Sequence, residues 1–273
     1  MSKQARPISI TSLNAMKARG ERIVCLTAYD ASLARVMSEA GVDVILVGDS
    51  LGMVVQGHDS TLPVTLDEMI YHSRCVARGM AQATGRKPLL MVDMPFMSYA
   101  SVELALHSAA RLMKEGGAQM VKLEGGAAQV VTVQALAAQG IPVCAHLGLT
   151  PQSVHKLGGY KVQGREDAAA ERMLHDAQAL QQAGADLLIV ECIPAALAAR
   201  LRQALAIPLI GIGAGADCDG QVLVSTDILG LSAQMPRFAC NYAESHGAPT
   251  QAIAAFVAEV RSGAFPQVQH GFD

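Results

Sequence analysis

Gln119-Met-Val-Lys-Leu-Glu124 and Asp186-Leu-Leu-Ile-Val-Glu191 decide how this chain folds. Each is a short, nearly unbroken apolar run that ends on a carboxylate. Each is preceded by Gly-Ala, the pair that closes an Ala-rich helical stretch (Gly117-Ala118 and Gly184-Ala185). A strand with one wet face alternates apolar and polar residues, whereas a parallel strand covered by helices reads as a continuous apolar run. The same kind of run recurs near 22–27, 43–48, 88–93, 142–147, 208–212 and 221–225. Helix-like segments lie between the runs, at 101–115, 127–139, 168–183 and 194–205. Gly41, Gly117 and Gly184 stand where a helix end calls for left-handed backbone. Eight βα units in one undivided chain predict an α/β fold, a single (β/α)8 TIM barrel over residues 1–273. The usual length of such barrels favours closure over a doubly wound open sheet. Ile10 to Arg22 reads as an extra N-terminal helix ahead of the first strand. The stretch 49–87, with His58-Asp59-Ser60 and Leu62-Pro63, breaks the regular spacing and reads as a lid or active-site loop.

The composition narrows the function. A chain of 273 residues that is 51% hydrophobic can bury a large core without a disulfide or metal staple. Its 21 Lys and Arg against 24 Asp and Glu give a formal net charge of -3, and there is no Trp and only five Phe and five Tyr. That balance argues against a nucleic-acid partner, which would need a basic, base-stacking surface. No uncharged apolar run is long enough to span a bilayer, and the start, Met1-Ser-Lys-Gln-Ala-Arg-Pro7, lacks the apolar core of a signal peptide. A soluble, cytoplasmic protein without a membrane partner is expected. The six cysteines, at 25, 75, 144, 192, 218 and 240, form no Cys-x-x-Cys pair and read as small buried hydrophobes.

Ionisable residues gather at one end of the strands. Asp49 follows the second strand, Asp93 ends the third, Glu124 the fourth and Glu191 the sixth, and His146 lies late in the fifth. A single such carboxylate is readily explained as a helix N-cap. Four at equivalent strand ends point instead to the face where barrels build their active sites. Asp49, Asp93 and Glu124 come from consecutive strands and offer oxygen without His or Cys, a donor set for a hard cation. That cation is Mg²⁺ first, Mn²⁺ or another divalent ion next, and zinc last. Lys122, two residues before Glu124, shares its inward face. Its chemistry leaves three readings: a salt bridge to these carboxylates, a hold on a substrate carboxylate or oxygen, or a Schiff base. Glu191 reads as a general base whose pKa burial raises, or else as an N-cap ahead of Pro194. His146 is either a hydrogen-bond partner behind the ligands or a core histidine. Gly211-Ile-Gly-Ala-Gly215 is better explained by a tight turn than by an anion-binding loop.

Several long motifs, in order, carry a resemblance. They are Leu26-Thr-Ala-Tyr-Asp30, Val47-Gly-Asp-Ser-Leu-Gly-Met53, Gln56-Gly-His-Asp-Ser-Thr-Leu-Pro-Val-Thr65 and Asp93-Met-Pro-Phe-Met-Ser-Tyr99. Further along come Val121-Lys-Leu-Glu-Gly-Gly126, His146-Leu-Gly-Leu-Thr-Pro-Gln-Ser153, Gly158-Gly-Tyr-Lys-Val-Gln-Gly-Arg165 and Gly211-Ile-Gly-Ala-Gly215. From about Ile10 onward the chain resembles the ketopantoate hydroxymethyltransferase family. The resemblance implies transfer of a hydroxymethyl group from 5,10-methylenetetrahydrofolate to the 2-oxo acid 3-methyl-2-oxobutanoate. The product is 2-dehydropantoate (ketopantoate) in pantothenate biosynthesis, formed through an enolate that Mg²⁺ stabilises. Family positions for the metal match Asp49, Asp93 and Glu124, and those for the 2-oxo acid match Asp49, Ser50, Asp93 and Lys122. The position of the proton acceptor matches Glu191, and bacterial members assemble as homodecamers. Ala145, where Gly often stands, and the segment Arg237-Phe-Ala-Cys-Asn241, often richer in Lys, depart from the family pattern. The second departure bears on a subunit contact. Three other functions share parts of this site: a metal-dependent barrel enzyme that cleaves or rearranges 2-oxo acids, a Lys122 Schiff-base aldolase, and a non-catalytic small-molecule binder.

Overall fold

The computed structural model describes residues 7–273. Its strands are β1 (Ile23–Thr27), β2 (Val44–Val47), β3 (Leu89–Asp93), β4 (Met120–Glu124), β5 (Val143–Gly148), β6 (Leu187–Glu191), β7 (Leu209–Ile212) and β8 (Gly220–Leu223). They form one closed parallel barrel in sequence order, β8 pairing back onto β1. Every strand lies within two residues of the run that predicts it. The reason is that both faces of these strands are covered: β1, β2, β3, β4, β7 and β8 are buried throughout.

The helices are α1 (Ile10–Ala18), α2 (Ala31–Ala40), α3 (Leu51–Val54), α4 (Leu66–Gln82), α5 (Val102–Lys114) and α6 (Val130–Ala138). They continue with α7 (Val154–Leu157), α8 (Asp167–Gln182), α9 (Ala195–Ala204), α10 (Ser225–Ile228), α11 (Tyr242–His246) and α12 (Pro249–Ser262). The extra helix α1 precedes β1, as expected, and ends at Ala18. It buries Leu13 and Met16, and its Lys17 pairs with Asp219 at the start of β8 at 2.8 Å.

Two sequence expectations need correction. The stretch 49–87 is not one long loop, because α3 and the 17-residue α4 occupy much of it. A capping box starts α4: the Thr65 side chain accepts the Glu68 N–H, and the Glu68 carboxylate accepts the Thr65 N–H. Only the segment 55–65 remains as an irregular active-site connection. Nor are there eight full βα units, since β7 runs into β8 through 213–219 without a helix. Gly213 and Gly215, at φ 59° and 79°, make that turn, and a side chain at Gly213 would run into Phe238 and Phe272. The Gly-rich run is therefore turn and packing chemistry. Of the cysteines, Cys25, Cys144, Cys192 and Cys218 are buried, while Cys75 and Cys240 are only half-buried.

At the N-terminal end of the barrel one contact occurs four times. The residue just before each even strand accepts the backbone N–H of the preceding odd strand through its side chain: Asp43 from Val24, Gln119 from Leu90, Asp186 from Val143 and Asp219 from Leu209, at 2.9–3.0 Å. Its own N–H donates to the carbonyl of that same partner. Two of these carboxylates also carry cations, Arg261 on Asp43 and both Lys17 and Arg202 on Asp219.

Candidate active site

The opposite ends of the strands open into a cavity of about 1090 Å³. Asp49, Ser50, Asp93, Lys122, Glu124, His146 and Glu191, all singled out from the sequence, line this one space. His58, Asp59 and Thr61 of the 55–65 connection reach it as well. None of the four carboxylates caps a helix. The N-cap positions of α3, α5 and α9 are Ser50, Ser101 and Pro194, which removes capping as the explanation for Asp49 and Glu191.

Asp93 and Lys122 are direct partners in the β3–β4 register, and Lys122 Nζ donates to Asp93 Oδ1 at 2.6 Å. Asp93 Oδ2 accepts the Asp49 N–H at 3.0 Å. Burial opposes the charge on Lys122, but Asp93, Glu124 and Asp49 together outweigh it and hold its pKa above the ordinary lysine range. An ammonium held by these carboxylates is a poor nucleophile toward a carbonyl, which weighs against the Schiff-base reading. The Asp49 carboxyl goes the other way: burial first, then Asp93 and Glu124, push it well above the usual carboxylate range. Three carboxylates thus share this corner with one ammonium.

Glu124 is buried too, yet its pKa is lowered, because His146, Lys122 and the Gln152 N–H overcome the cost of burial. His146 stands between two carboxylates, Nδ1 at 3.5 Å from Glu124 Oε1 and Nε2 at 3.4 Å from Glu191 Oε2. These are ion-pair distances rather than well-formed hydrogen bonds, and both ring nitrogens lack a hydrogen-bond partner. Burial and Lys122 disfavour an imidazolium there, but the two carboxylates outweigh them and raise its pKa. His146 is therefore at once a core residue and a link between the two acids.

Glu191 lies four strands round the ring from Asp49. It is the most open of the strand-end carboxylates, its side chain 16% exposed against 3% for Asp93 and Glu124. Gly148 is its register partner at φ 91°, and a Cβ there would collide with the Glu191 carbonyl oxygen. The next residue, Cys192, takes a left-handed φ of 48°, rare outside glycine, so the backbone turns sharply just past this carboxylate.

The sequence reading missed Tyr29, Tyr99 and Gln152. The Tyr29 hydroxyl is 2.8 Å from Ser50 Oγ. Gln152, buried in the turn after β5, touches Asp49, Glu124, Met94 and Tyr99. All three residues sit inside the motifs quoted above, but an amide after Thr-Pro and two isolated tyrosines carry no charge or ligand spacing to mark them.

The donor set fits a hard divalent cation. Glu124 Oε1 is buried without a hydrogen bond, and the Asp49 carboxyl is destabilised by its acidic neighbours. Among the described residues, however, no three His, Cys, Asp or Glu side chains converge in coordinating geometry. Asp93 turns its oxygens to Lys122 and to the Asp49 N–H, and each keeps a further lone pair for an ion.

The other side of the cavity is apolar, with Ile212, Val222, Leu223, Phe238 and Phe272 on its wall. One carboxylate interrupts it: Asp227, 5% exposed, accepts from Ser232 Oγ at 2.5 Å, and burial raises its pKa. Of the two departures from the family pattern, Ala145 is buried in β5. Arg237 lies over the Phe272 ring at 5.5 Å, at the rim of this apolar side.

The sequence profile of the family described as ketopantoate hydroxymethyltransferase matches residues 7–268. The chain is 60% identical to the 3-methyl-2-oxobutanoate hydroxymethyltransferase of Alkalilimnicola ehrlichii over 98% of this chain and 95% of that protein. It is 58% identical to that of Halorhodospira halophila over 97% and 95%. Among solved structures, 2,3-dimethylmalate lyase, a PEP mutase/isocitrate lyase superfamily member, is similar with a TM-score of 0.57 at 20% identity, covering 88% of this chain and 87% of that chain. Oxaloacetate acetylhydrolase with bound 3,3-difluorooxalacetate is similar with a TM-score of 0.58 at 16% identity, covering 95% and 98%. At those identities the two structures speak to the barrel fold alone.

Proposed function

The chain belongs to the ketopantoate hydroxymethyltransferase family, and from that premise we propose that it makes ketopantoate from 3-methyl-2-oxobutanoate with 5,10-methylenetetrahydrofolate as one-carbon donor and Mg²⁺ as the working metal. Asp49, Asp93 and Glu124 would hold the ion, with Mn²⁺ as a substitute. When bound, Mg²⁺ supplies Lewis-acid polarisation of the keto group and so acidifies the neighbouring C3–H. Lys122, protonated among three carboxylates, holds the substrate carboxylate or the negative charge that develops as C3 loses its proton. Ser50, positioned by the Tyr29 hydroxyl, supports the same substrate end. Glu191 takes the C3 proton: it is the most open of the strand-end carboxylates, and His146 stands 3.4 Å behind it. The C3 carbon then forms the new C–C bond with the folate's methylene carbon. Both C–N bonds of that carbon break and tetrahydrofolate leaves. One water supplies the hydroxyl oxygen, and its two hydrogens and the C3 proton end on the two folate nitrogens and the new hydroxyl.

One observation carries this reading: a charged corner that ends in an open carboxylate shares a cavity with an apolar wall. About 1090 Å³ far exceeds the needs of a five-carbon acid. The aliphatic and aromatic wall suits a flat heteroaromatic ring, and Asp227 there suits ring N–H donors. The assignment extends to a cytoplasmic enzyme of pantothenate biosynthesis that assembles as a homodecamer, which sedimentation velocity measures directly. No helix among the described residues is long and apolar enough to cross a membrane.

NMR of the C3 proton of 3-methyl-2-oxobutanoate in D₂O tests the chemistry. Exchange with Mg²⁺, its loss with EDTA, and ketopantoate on adding methylenetetrahydrofolate are the expected results. Exchange without product would point to a different electrophile and a lyase or aldolase, and binding of the acid without exchange would leave a non-catalytic binder.

A further inference from the structure

Gln152 ties the ends of β2, β3 and β4 together, the first two through its side chain and the third through its backbone N–H. Its Nε2 donates to Asp49 Oδ2 at 2.8 Å and to the Met94 carbonyl, just past Asp93, at 3.0 Å. Its backbone N–H donates to Glu124 Oε2 at 3.0 Å, and its Oε1 accepts from the Tyr99 hydroxyl at 2.5 Å. The side chain is 6% exposed, and both of its amide hydrogens are used. Flipping the amide would set Oε1 against a carboxylate and a carbonyl, two acceptor–acceptor contacts, and would leave the Tyr99 hydroxyl facing an N–H group. The Asp49 carboxylate and the Met94 carbonyl therefore fix the orientation, and the Tyr99 hydroxyl donates to the amide oxygen and holds the side chain in place.

We infer that Gln152, locked by Tyr99, is a positioning residue that sets the orientation of the Asp49 and Glu124 carboxylates and so the affinity of the site for its divalent ion. This rests on the proposed metal reading. A ligating carboxylate without its supporting hydrogen bond must be ordered by the ion itself, and such supports are worth about 10–100-fold in metal affinity. A neutral amide is the fitting choice. A carboxylate at this position would repel Asp49, and an ammonium would compete with the ion for it.

The test is Mn²⁺ binding followed by electron paramagnetic resonance on the full chain, for the native protein, Gln152→Met and Tyr99→Phe. Gln152→Met keeps the length and the backbone N–H to Glu124, so affinity should fall about 10–100-fold without vanishing. Tyr99→Phe leaves the amide in place but unlocked and should shift the Kd in the same direction by less. The KM for the 2-oxo acid, whose keto group the ion would polarise, should rise with the metal Kd. Melting of the metal-free proteins separates this role from a merely structural one, which would lower Tm and leave the Mn²⁺ Kd alone. Should Gln152→Met fail to fold, Tyr99→Phe carries the test. Mn²⁺ affinity within twofold of native in the folded variants overturns the inference and leaves the metal site standing. A native protein that binds no Mn²⁺ overturns both.

Discussion

Lys122 and Asp93 face each other directly across β4 and β3, with 2.6 Å between Nζ and Oδ1, and both side chains are buried. An ion pair in this setting stabilises less than its geometry suggests, because both charges have left water, but removing one partner strands the other. Lys122→Met should therefore cost about 3–5 kcal/mol in chemical denaturation and abolish turnover. Because the ammonium is engaged by Asp93, borohydride with 3-methyl-2-oxobutanoate should trap no adduct on the native enzyme. A mass increase at Lys122 would restore the Schiff-base mechanism.

Glu191→Gln keeps the shape of the side chain and removes its basicity. The loss in both C3 exchange and turnover should be about 10²–10⁴-fold, with binding of the 2-oxo acid within a few-fold of native. Near-normal exchange of the C3 proton in the variant would take Glu191 out of the reaction.

The apolar side of the cavity makes a separate prediction. Asp227→Asn, which cannot pair with two ring N–H donors at once, should raise the KM for methylenetetrahydrofolate by about tenfold, the equivalent of one charge-assisted hydrogen bond. The KM for the 2-oxo acid reads the opposite wall and should move far less. Equal changes in both would place the folate elsewhere.

The capping box of α4 gives a pH dependence whose sign can be worked out. The Thr65 N–H and hydroxyl hold the Glu68 carboxyl below its ordinary range despite some burial. A carboxyl whose folded pKa is depressed contributes stability that is complete above its unfolded value, about 4.3, and is lost as pH falls through the lower folded value. Thr65→Ala should cost about 1 kcal/mol at neutral pH and should flatten the acid limb of the Tm–pH curve. An unchanged acid limb would show that Glu68 is not among the groups that set it.

The strands were legible because a barrel strand is buried on both sides and has little choice of residue, as Met120 to Glu124 illustrates. The carboxylates were legible because charge at the end of such a run needs a reason. What escaped depends on three dimensions. The helix from Leu66 to Gln82 carries Tyr71, His72, Ser73 and Arg74 across its middle, which blurs the apolar period, although Thr65-x-x-Glu68 announced its start. The missing helix after β7 has no signature of its own. Gln152 lies far along the chain from Asp49, and only closure of the ring brings a neutral amide against that carboxylate.

The four reciprocal contacts at the far end of the barrel act as registration marks. A parallel strand that slips by one residue turns its inward side chains outward, which would take Lys122 away from Asp93 and Glu124 out of the mouth. Gln119 on Leu90 admits only the alignment that opposes Lys122 to Asp93, and Asp186 on Val143 admits only the one that opposes Glu191 to Gly148. With strands of five residues, these marks sit about 17 Å below the chemistry. The accuracy of the catalytic mouth is therefore written at the end of the molecule that no substrate visits.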